Sequence, residues 1–363
     1  MASRGLFYAR LEDRDWNFLA KLGDDPPFDG SVIRANYLAE YPPEDRRHGQ
    51  QHDRITEALE EKGWPWALDP HTAPHAHHRA HEWTTPRARS CTLAQALPLP
   101  WTLEHIADPE AQGELIDRSV ALQESAGTLA APYVEVDRRD PRSIQVNSQL
   151  ITATAERAGD QRILAYLQAL QGSLRSGTAA EAARRFIDAG AETIFIRIRG
   201  FNSVNLDQLV DYLELVELIA ADGARAVADS ADYFGTVAIA AGADAMTGGA
   251  RYFRTVPAAL LTRPPEPPEE DSDDEEDKKG GGLPLLYELP GLLERVSPSE
   301  EPAAPEGEPA LIRTHNFREL QQISRLAARE GLRFAETLRA IGSSQAMLWA
   351  EALDQRAERR RAS

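Results

Sequence analysis

Between Glu192 and Thr255 short apolar runs alternate with stretches of helical period. Thr193-Ile-Phe-Ile-Arg-Ile-Arg199, Ala224–Asp229 and Ala243–Thr247 are compact and apolar, as buried strands are. Leu206–Ala221 and Ala231–Ala241 repeat apolar positions at the spacing of a helix face. Strand, helix, strand in this rhythm predicts parallel βαβ units. The same rhythm extends in both directions. Strands are expected at Ser31–Asn36, Trp64–Asp69, Tyr133–Asp137, Arg162–Gln168 and Ala310–His315. Helices are expected at Asp53–Lys62, Glu110–Ala126, Pro141–Arg157, Ala179–Ala189, Arg318–Glu330 and Phe334–Arg356. Eight strands alternating with helices predict an α/β fold of the (β/α)8 TIM-barrel type, with Ala310–His315 as the eighth strand and helices closing the chain.

Two segments break the rhythm. Residues 70–108 are rich in Pro and His and read as a long excursion from a strand's carboxyl end. Residues 264–309 hold fifteen Asp/Glu against Lys278, Lys279 and Arg295. Their Pro/Glu-rich composition predicts a largely disordered acidic insertion before the eighth strand. One barrel then spans 1–263 and 310–363, interrupted by 264–309. The insertion carries −12 of the net charge of −18, leaving about −6 for the rest. Bulk acidity disfavours non-specific nucleic-acid binding, but it belongs mostly to one segment, so a basic patch on the barrel stays open. The acidic segment could itself hold a protein partner. A lone Cys91 excludes an internal disulfide and a multi-cysteine zinc site within one chain. No apolar run is long enough to span a bilayer and no secretory leader is evident, which predicts a cytoplasmic protein without a membrane partner.

In parallel barrels chemistry sits at the carboxyl ends of the strands. The polar residues there are Arg197, Arg199, Asp229, Thr247, Gly248 and Gly249. The two glycines could cradle a phosphate through backbone amides or simply form a tight turn. Glu135 and Asp137 stand two apart on one predicted strand and so share a face. They could act as acid and base, read the N–H edge of a base, or pair with Arg138, Arg139, Arg197 or Arg199. His71, His75, His77, His78 and His81 cluster after Asp69. Imidazoles at this density suit a metal ion such as zinc, with His71, His75 and His77 as the first ligands, or else make a solvated loop.

Several pieces, in order, resemble the tRNA-guanine transglycosylase family of (β/α)8 barrels. They are Ile33-Arg-Ala-Asn36-Tyr37-Leu38 with Pro42-Pro43, Gly63-Trp-Pro-Trp-Ala-Leu-Asp69, Leu122-Gln123 through Tyr133–Asp137, and Leu164–Gln168. Gly242–Thr247 and Thr314-His315-Asn316 complete the set. The resemblance implies a nucleobase or nucleoside ligand, in tRNA, DNA or free, and exchange of a purine by a glycosyltransferase reaction. It implies Asp69 as acid/base and Asn36, Asp137 and Gln168 in the base pocket. The sequence departs where Pro-His-Thr follows Asp69, where Thr247 stands in the family's nucleophile position, and where the zinc cysteines are missing. Asp229 or Asp244 would then have to supply the nucleophile. A non-catalytic barrel serving as a binding subunit and a His-cluster metal hydrolase are the competing expectations.

Overall fold

The computed structural model describes residues 4–11, 15–35, 55–73, 93, 96–97, 101–231, 233–249, 287–289, 294–296 and 309–362. Eight parallel strands form the sheet: β1 (Leu6–Leu11), β2 (Gly30–Arg34), β3 (Trp66–Asp69), β4 (Thr128–Ala130), β5 (Arg162–Leu170), β6 (Thr193–Arg199), β7 (Arg225–Ala228) and β8 (Ala245–Gly248). Their order is β3-β2-β1-β8-β7-β6-β5-β4. β1 pairs with both β2 and β8, Leu6 standing against Ala245 and Tyr8 against Gly30. β3 and β4 lie side by side, so the sheet closes nearly into a (β/α)8 barrel. At that seam the Thr72 hydroxyl takes the place of ladder bonds. It donates to the Tyr133 carbonyl oxygen (2.5 Å) and accepts from the Tyr133 N–H (2.7 Å).

The helices are α1 (Trp16–Leu19), α2 (55–61), α3 (Leu103–Ala107), α4 (Pro109–Ala121), α5 (Arg142–Arg157), α6 (Gly172–Arg175), α7 (Thr178–Asp188), α8 (Leu206–Ala221) and α9 (Phe234–Ala241). After the sheet come α10 (Pro309–Glu330), α11 (Phe334–Ile341) and α12 (Ser344–Ala362). Local chemistry starts several of them. Asp108 caps α4 by accepting from the Ala111 N–H with Pro109 at the first turn, and Asn205 caps α8 through the Gln208 N–H. α9 is buried along its whole length, because it lies beneath α10 and α12 as well as on the sheet.

Four expectations are corrected. The first strand is Leu6–Leu11, where no strand was expected, and Ala245–Gly248 is the eighth strand. Ala310–His315 is the first part of α10, whose buried positions Ile312, Asn316, Phe317, Leu320, Ile323 and Ala327 repeat at helical spacing. A six-residue apolar run suits either state; here the 22-residue helix that contains it packs Phe317 against Phe7, Phe18 and Phe28. The acidic segment therefore follows the eighth strand. It lies outside the described residues apart from the antiparallel strands β9 (Tyr287–Leu289) and β10 (Glu294–Val296) and Pro309 at the start of α10. Gly342, at φ 77°, separates α11 from α12 where one helix was expected.

Two cores result from the alternation of the strands. Outward side chains meet the helices in the larger one. Inward ones, Val32, Ala130, Tyr133, Leu164, Tyr166, Phe195, Val227 and Ala245, fill the barrel. Within it Tyr133, Tyr166, Phe195 and Tyr8 form a chain of ring contacts with centroids 5.1, 4.8 and 6.5 Å apart. No helix among the described residues is long and apolar enough to cross a membrane.

Gly5 is where α10 meets the barrel. Its φ is +80°, and a Cβ there would stand 2.7 Å from the Ala328 Cβ and 2.8 Å from the Ser324 carbonyl oxygen. Gly5→Ala is expected to lower unfolding free energy by about 1–3 kcal/mol through strain and overpacking; urea unfolding with no loss would show that α10 does not seat there.

Candidate functional site

The carboxyl mouth of the barrel is built on a ring of two aspartates and two arginines. β1 supplies Arg10, β3 supplies Asp69, β6 supplies Arg197, and Asp229 directly follows β7. The Arg10 Nη2 donates to both Asp229 carboxylate oxygens (2.6 and 2.7 Å), and its Nη1 reaches Asp69 Oδ2 at 3.2 Å. Arg197 spans the same two carboxylates: its Nη2 lies 2.6 Å from each, and its Nε donates to Asp229 Oδ2 at 2.8 Å. Tyr133 donates to Asp69 Oδ1 (2.9 Å) and accepts from Arg197 Nη1 (2.7 Å). Thr247 donates to Asp229 Oδ1 at 2.6 Å. The Asp69 and Asp229 side chains have no solvent exposure and Arg197 has 2%.

The ring is charge-balanced and its carboxylates are saturated. Burial by itself would push the Asp69 carboxyl up; Arg197 and Arg10 outweigh it and hold the group well below the usual carboxylate range. Asp229 is held down in the same way, burial opposing and Arg10 and Arg197 prevailing. Burial pushes the Tyr133 phenol far up, so it remains a neutral donor. The backbone turns sharply just above. His71 and Ser230 have φ of 50° and 56°, the two non-glycine residues with positive φ among those described. Their N–H groups donate to Asp69 Oδ1 (3.0 Å) and Thr247 Oγ1 (3.2 Å), which ties each turn to the ring.

Around the ring stand Glu135, Gln168, Arg199 and Arg34. Glu135 accepts from Arg199 Nη2 at 2.6 Å and from Gln168 Nε2 at 3.3 Å, so ion pairing is the arrangement it adopts. Arg34 ends β2 opposite Asp69, on the face of the inward residue Val32. Among the described residues Arg34 makes no ion pair or hydrogen bond.

The structure sorts the expected site residues. Asp69, Asp229, Thr247, Arg197, Arg199, Glu135 and Gln168 come together at this mouth. Asp137 does not: it is exposed and accepts from its neighbour's Arg139 N–H. The expected strand Tyr133–Asp137 begins earlier, as Thr128–Ala130, and Val136 makes only a bridge to Ala169, so Glu135 and Asp137 do not act as one pair. Asp244 lies at the opposite end, ahead of β8, with its carboxylate accepting from the Ala226 N–H. Gly248 is a strand residue paired with Ala9, and Gly249 follows it, buried; the residues after Gly249 lie outside the described ones. Asn36, His75 and His77 lie outside the described residues, and among those described no group of three His, Cys, Asp or Glu could hold a metal. Sequence reading missed Arg10 and Tyr133. Arg10 had a signal, an arginine ending the apolar run Leu6–Ala9, as Arg34 ends Ser31–Ile33.

The fold and site define a (β/α)8 barrel with an ion-paired carboxyl mouth. No family model matches the chain, and no curated protein matches it. Among solved structures it is similar to xylanase B from Clostridium stercorarium F9, at 13% identity and a TM-score of 0.38, over 70% of this chain and 94% of that one. It is also similar to Amy13B of Eubacterium rectale, at 10% identity and a TM-score of 0.43, over 90% of this chain and 80% of that one. Likeness at this level assigns no activity to the chain. The expected purine exchange is corrected on the geometry of the mouth. The geometry gives the physical reason. The expected acid/base Asp69 and the substitute nucleophile Asp229 are both buried and held by arginines, while Asp137 and Asp244 face elsewhere.

Removing one partner leaves buried charge uncompensated, so Asp229→Ala is expected to cost about 3–5 kcal/mol in urea unfolding. The pH dependence has a definite sign. Both carboxyls titrate below their unfolded-chain value of about 3.9, so their contribution is complete above it and is lost as pH falls through the folded values. Asp69→Asn should therefore be less stable than the natural protein at neutral pH, with the gap narrowing below about pH 4. A gap independent of pH would refute the ion-ring assignment.

Proposed function

We propose that the carboxyl mouth binds a small anionic ligand, with Arg34 as its recognition residue and the aspartate–arginine ring as a rigid floor. The observation that carries this reading is the charge balance. Among the described residues four inward arginines, Arg10, Arg34, Arg197 and Arg199, face three carboxylates, Asp69, Asp229 and Glu135, and the surplus cation is Arg34. In a chain of net charge −18, a local surplus of positive charge beside saturated carboxylates favours an anion. An arginine offers a planar fork suited to a carboxylate or phosphate. The ring supports this without taking part in proton transfer: its aspartates stay ionised and have no proton to give.

The chain lengths around the mouth favour the same face. Between the carboxyl ends of β2, β3 and β8 and the next described helix or strand lie residues 35–54, 70–102 and 249–286 of the sequence. In the sheet β3 adjoins β2, and β1 lies between β2 and β8, so these chain segments start around one side of the mouth, beside Arg34. Binding residues in barrels come from such connections at this end.

Inorganic phosphate and acetate serve as probes in isothermal titration of the full chain. Arg34→Met is expected to weaken the better-bound anion about tenfold, the worth of one charge-assisted contact, with the melting temperature preserved. Equal affinity in the natural protein and the variant would remove Arg34 from the site and overturn the reading.

A further inference from the structure

The opposite mouth of the barrel is open as well. A cavity of about 380 Å³ lies at the amino ends of the strands, where Leu6, Gly30, Thr128, Arg162, Thr193 and Arg225 are the first residues of their strands. Side chains normally fill this layer of a parallel barrel. Here the lining includes the small residues Gly30 of β2 and Ala67 of β3 together with Leu164 and Phe195. The ring contact of Tyr8 with Phe195 roofs the cavity and separates it from the ion ring.

The wall formed by β4 to β7 has an ordered polar pattern. Register sets Thr128 beside Arg162 and Thr193 beside Arg225, two hydroxyl–guanidinium pairs on four adjacent strands, offset by two residues because Thr193 stands against Leu164. All four share the face of inward residues two positions on, namely Ala130, Leu164, Phe195 and Val227. The Thr128 hydroxyl and the Arg225 Nε are buried without a hydrogen-bond partner. Buried polar atoms left unmatched are costly, and groups placed so are commonly completed by a ligand or by water. Arg162 makes no ion pair among the described residues, and Arg225 has only a 3.9 Å approach to Asp244. Asp29, the carboxylate on the far wall, is already matched by the Phe7 N–H (2.9 Å), Gln321 (3.1 Å) and Arg325 (2.8 Å). The remaining wall is mostly apolar, with Leu6, Val32, Pro65, Ala67, Leu164 and the Phe195 ring, and also holds Tyr8, Ser31 and Trp66.

We infer that this cavity is a second binding site, for a small molecule that carries an oxyanion on an apolar body. The oxyanion, carboxylate or phosphate, lies between Arg162 and Arg225 with the Thr128 and Thr193 hydroxyls as donors. The apolar body lies against Leu164 and Phe195. The volume falls in the range of pockets for small ligands, about 300–1,000 Å³. The site is independent of Arg34, which lies at the other end of the barrel.

Isothermal titration of the full chain with phenyl phosphate, benzoate and benzyl alcohol tests it. With the carboxyl mouth silenced by Arg34→Met, at least one of the two anions should bind one to one, and which of them binds tighter identifies the oxyanion. Arg162→Met and Arg225→Met should each weaken it about tenfold, and benzyl alcohol should bind correspondingly less well. Arg162 is exposed, so its variant reads binding without disturbing the fold, and thermal melting checks both variants. Ala67→Leu, which fills the cavity, should abolish binding. No saturable binding of either anion, or equal binding by the natural protein and both arginine variants, would overturn the inference. Binding lost in Arg34→Met but kept in Arg162→Met would overturn it too, while leaving the carboxyl-mouth reading intact.

Discussion

The two-aspartate, two-arginine ring is the constraint from which the rest of the barrel's interior follows. Ionised groups with no solvent exposure are tolerated only when paired and fully hydrogen-bonded. Arg10, Asp69, Arg197 and Asp229 meet that condition by drawing on β1, β3, β6 and the end of β7, strands spread around the whole barrel. Tyr133 and Thr247 fill the remaining valences from the β4 and β8 sides. The ring thus ties together strands that share no ladder, including β3 and β4, where the sheet does not close by backbone hydrogen bonds.

Below the ring the barrel is stratified. Arg197 lies over the Tyr166 ring at 5.2 Å, and the chain Tyr133–Tyr166–Phe195–Tyr8 makes an aromatic layer beneath the charges. That layer has two consequences. It keeps water from the underside of the ion ring, which strengthens the pairing by lowering the local dielectric. It also isolates the amino-end cavity, so the two mouths of one barrel present separate chemistries to solvent. The carboxyl mouth offers a surplus guanidinium above a saturated floor. The amino mouth offers unmatched donors beside an apolar wall.

How much of this the sequence disclosed depends on the kind of pattern. Thr193–Arg199 and Leu206–Ala221 were legible because a buried parallel strand and a long amphipathic helix each impose a period over many residues. Leu6–Leu11 was not, since six residues of mixed character carry too little pattern. Ala310–His315 was misread as a strand for a related reason: a short apolar run is decided by what it packs against, here Phe7, Phe18 and Phe28 through the helix that contains it. Arg197 and Asp229 were legible as polar residues at strand ends and Asp69 through the family resemblance, yet the two aspartates, expected to react, are held in ion pairs. A carboxylate at a barrel mouth reads as an acid or a nucleophile until its partners are known. Arg10 lies 59 and 219 positions away along the chain from the two aspartates it holds.

The sequence alone therefore determined the parallel barrel, the alternation that turns particular side chains inward, and the placement of charge at strand ends, because these depend on local periodicity. Only the tertiary structure decided which inward charges cancel and which do not. It paired Asp69 and Asp229 with Arg10 and Arg197, turned Asp137 outward, sent Asp244 to the other end, and, among the described residues, left Arg34, Arg162 and Arg225 with capacity to spare. Charge pairing inside a barrel is fixed by which strands become neighbours and by how far each is staggered. Neither quantity is written in any one stretch of the chain.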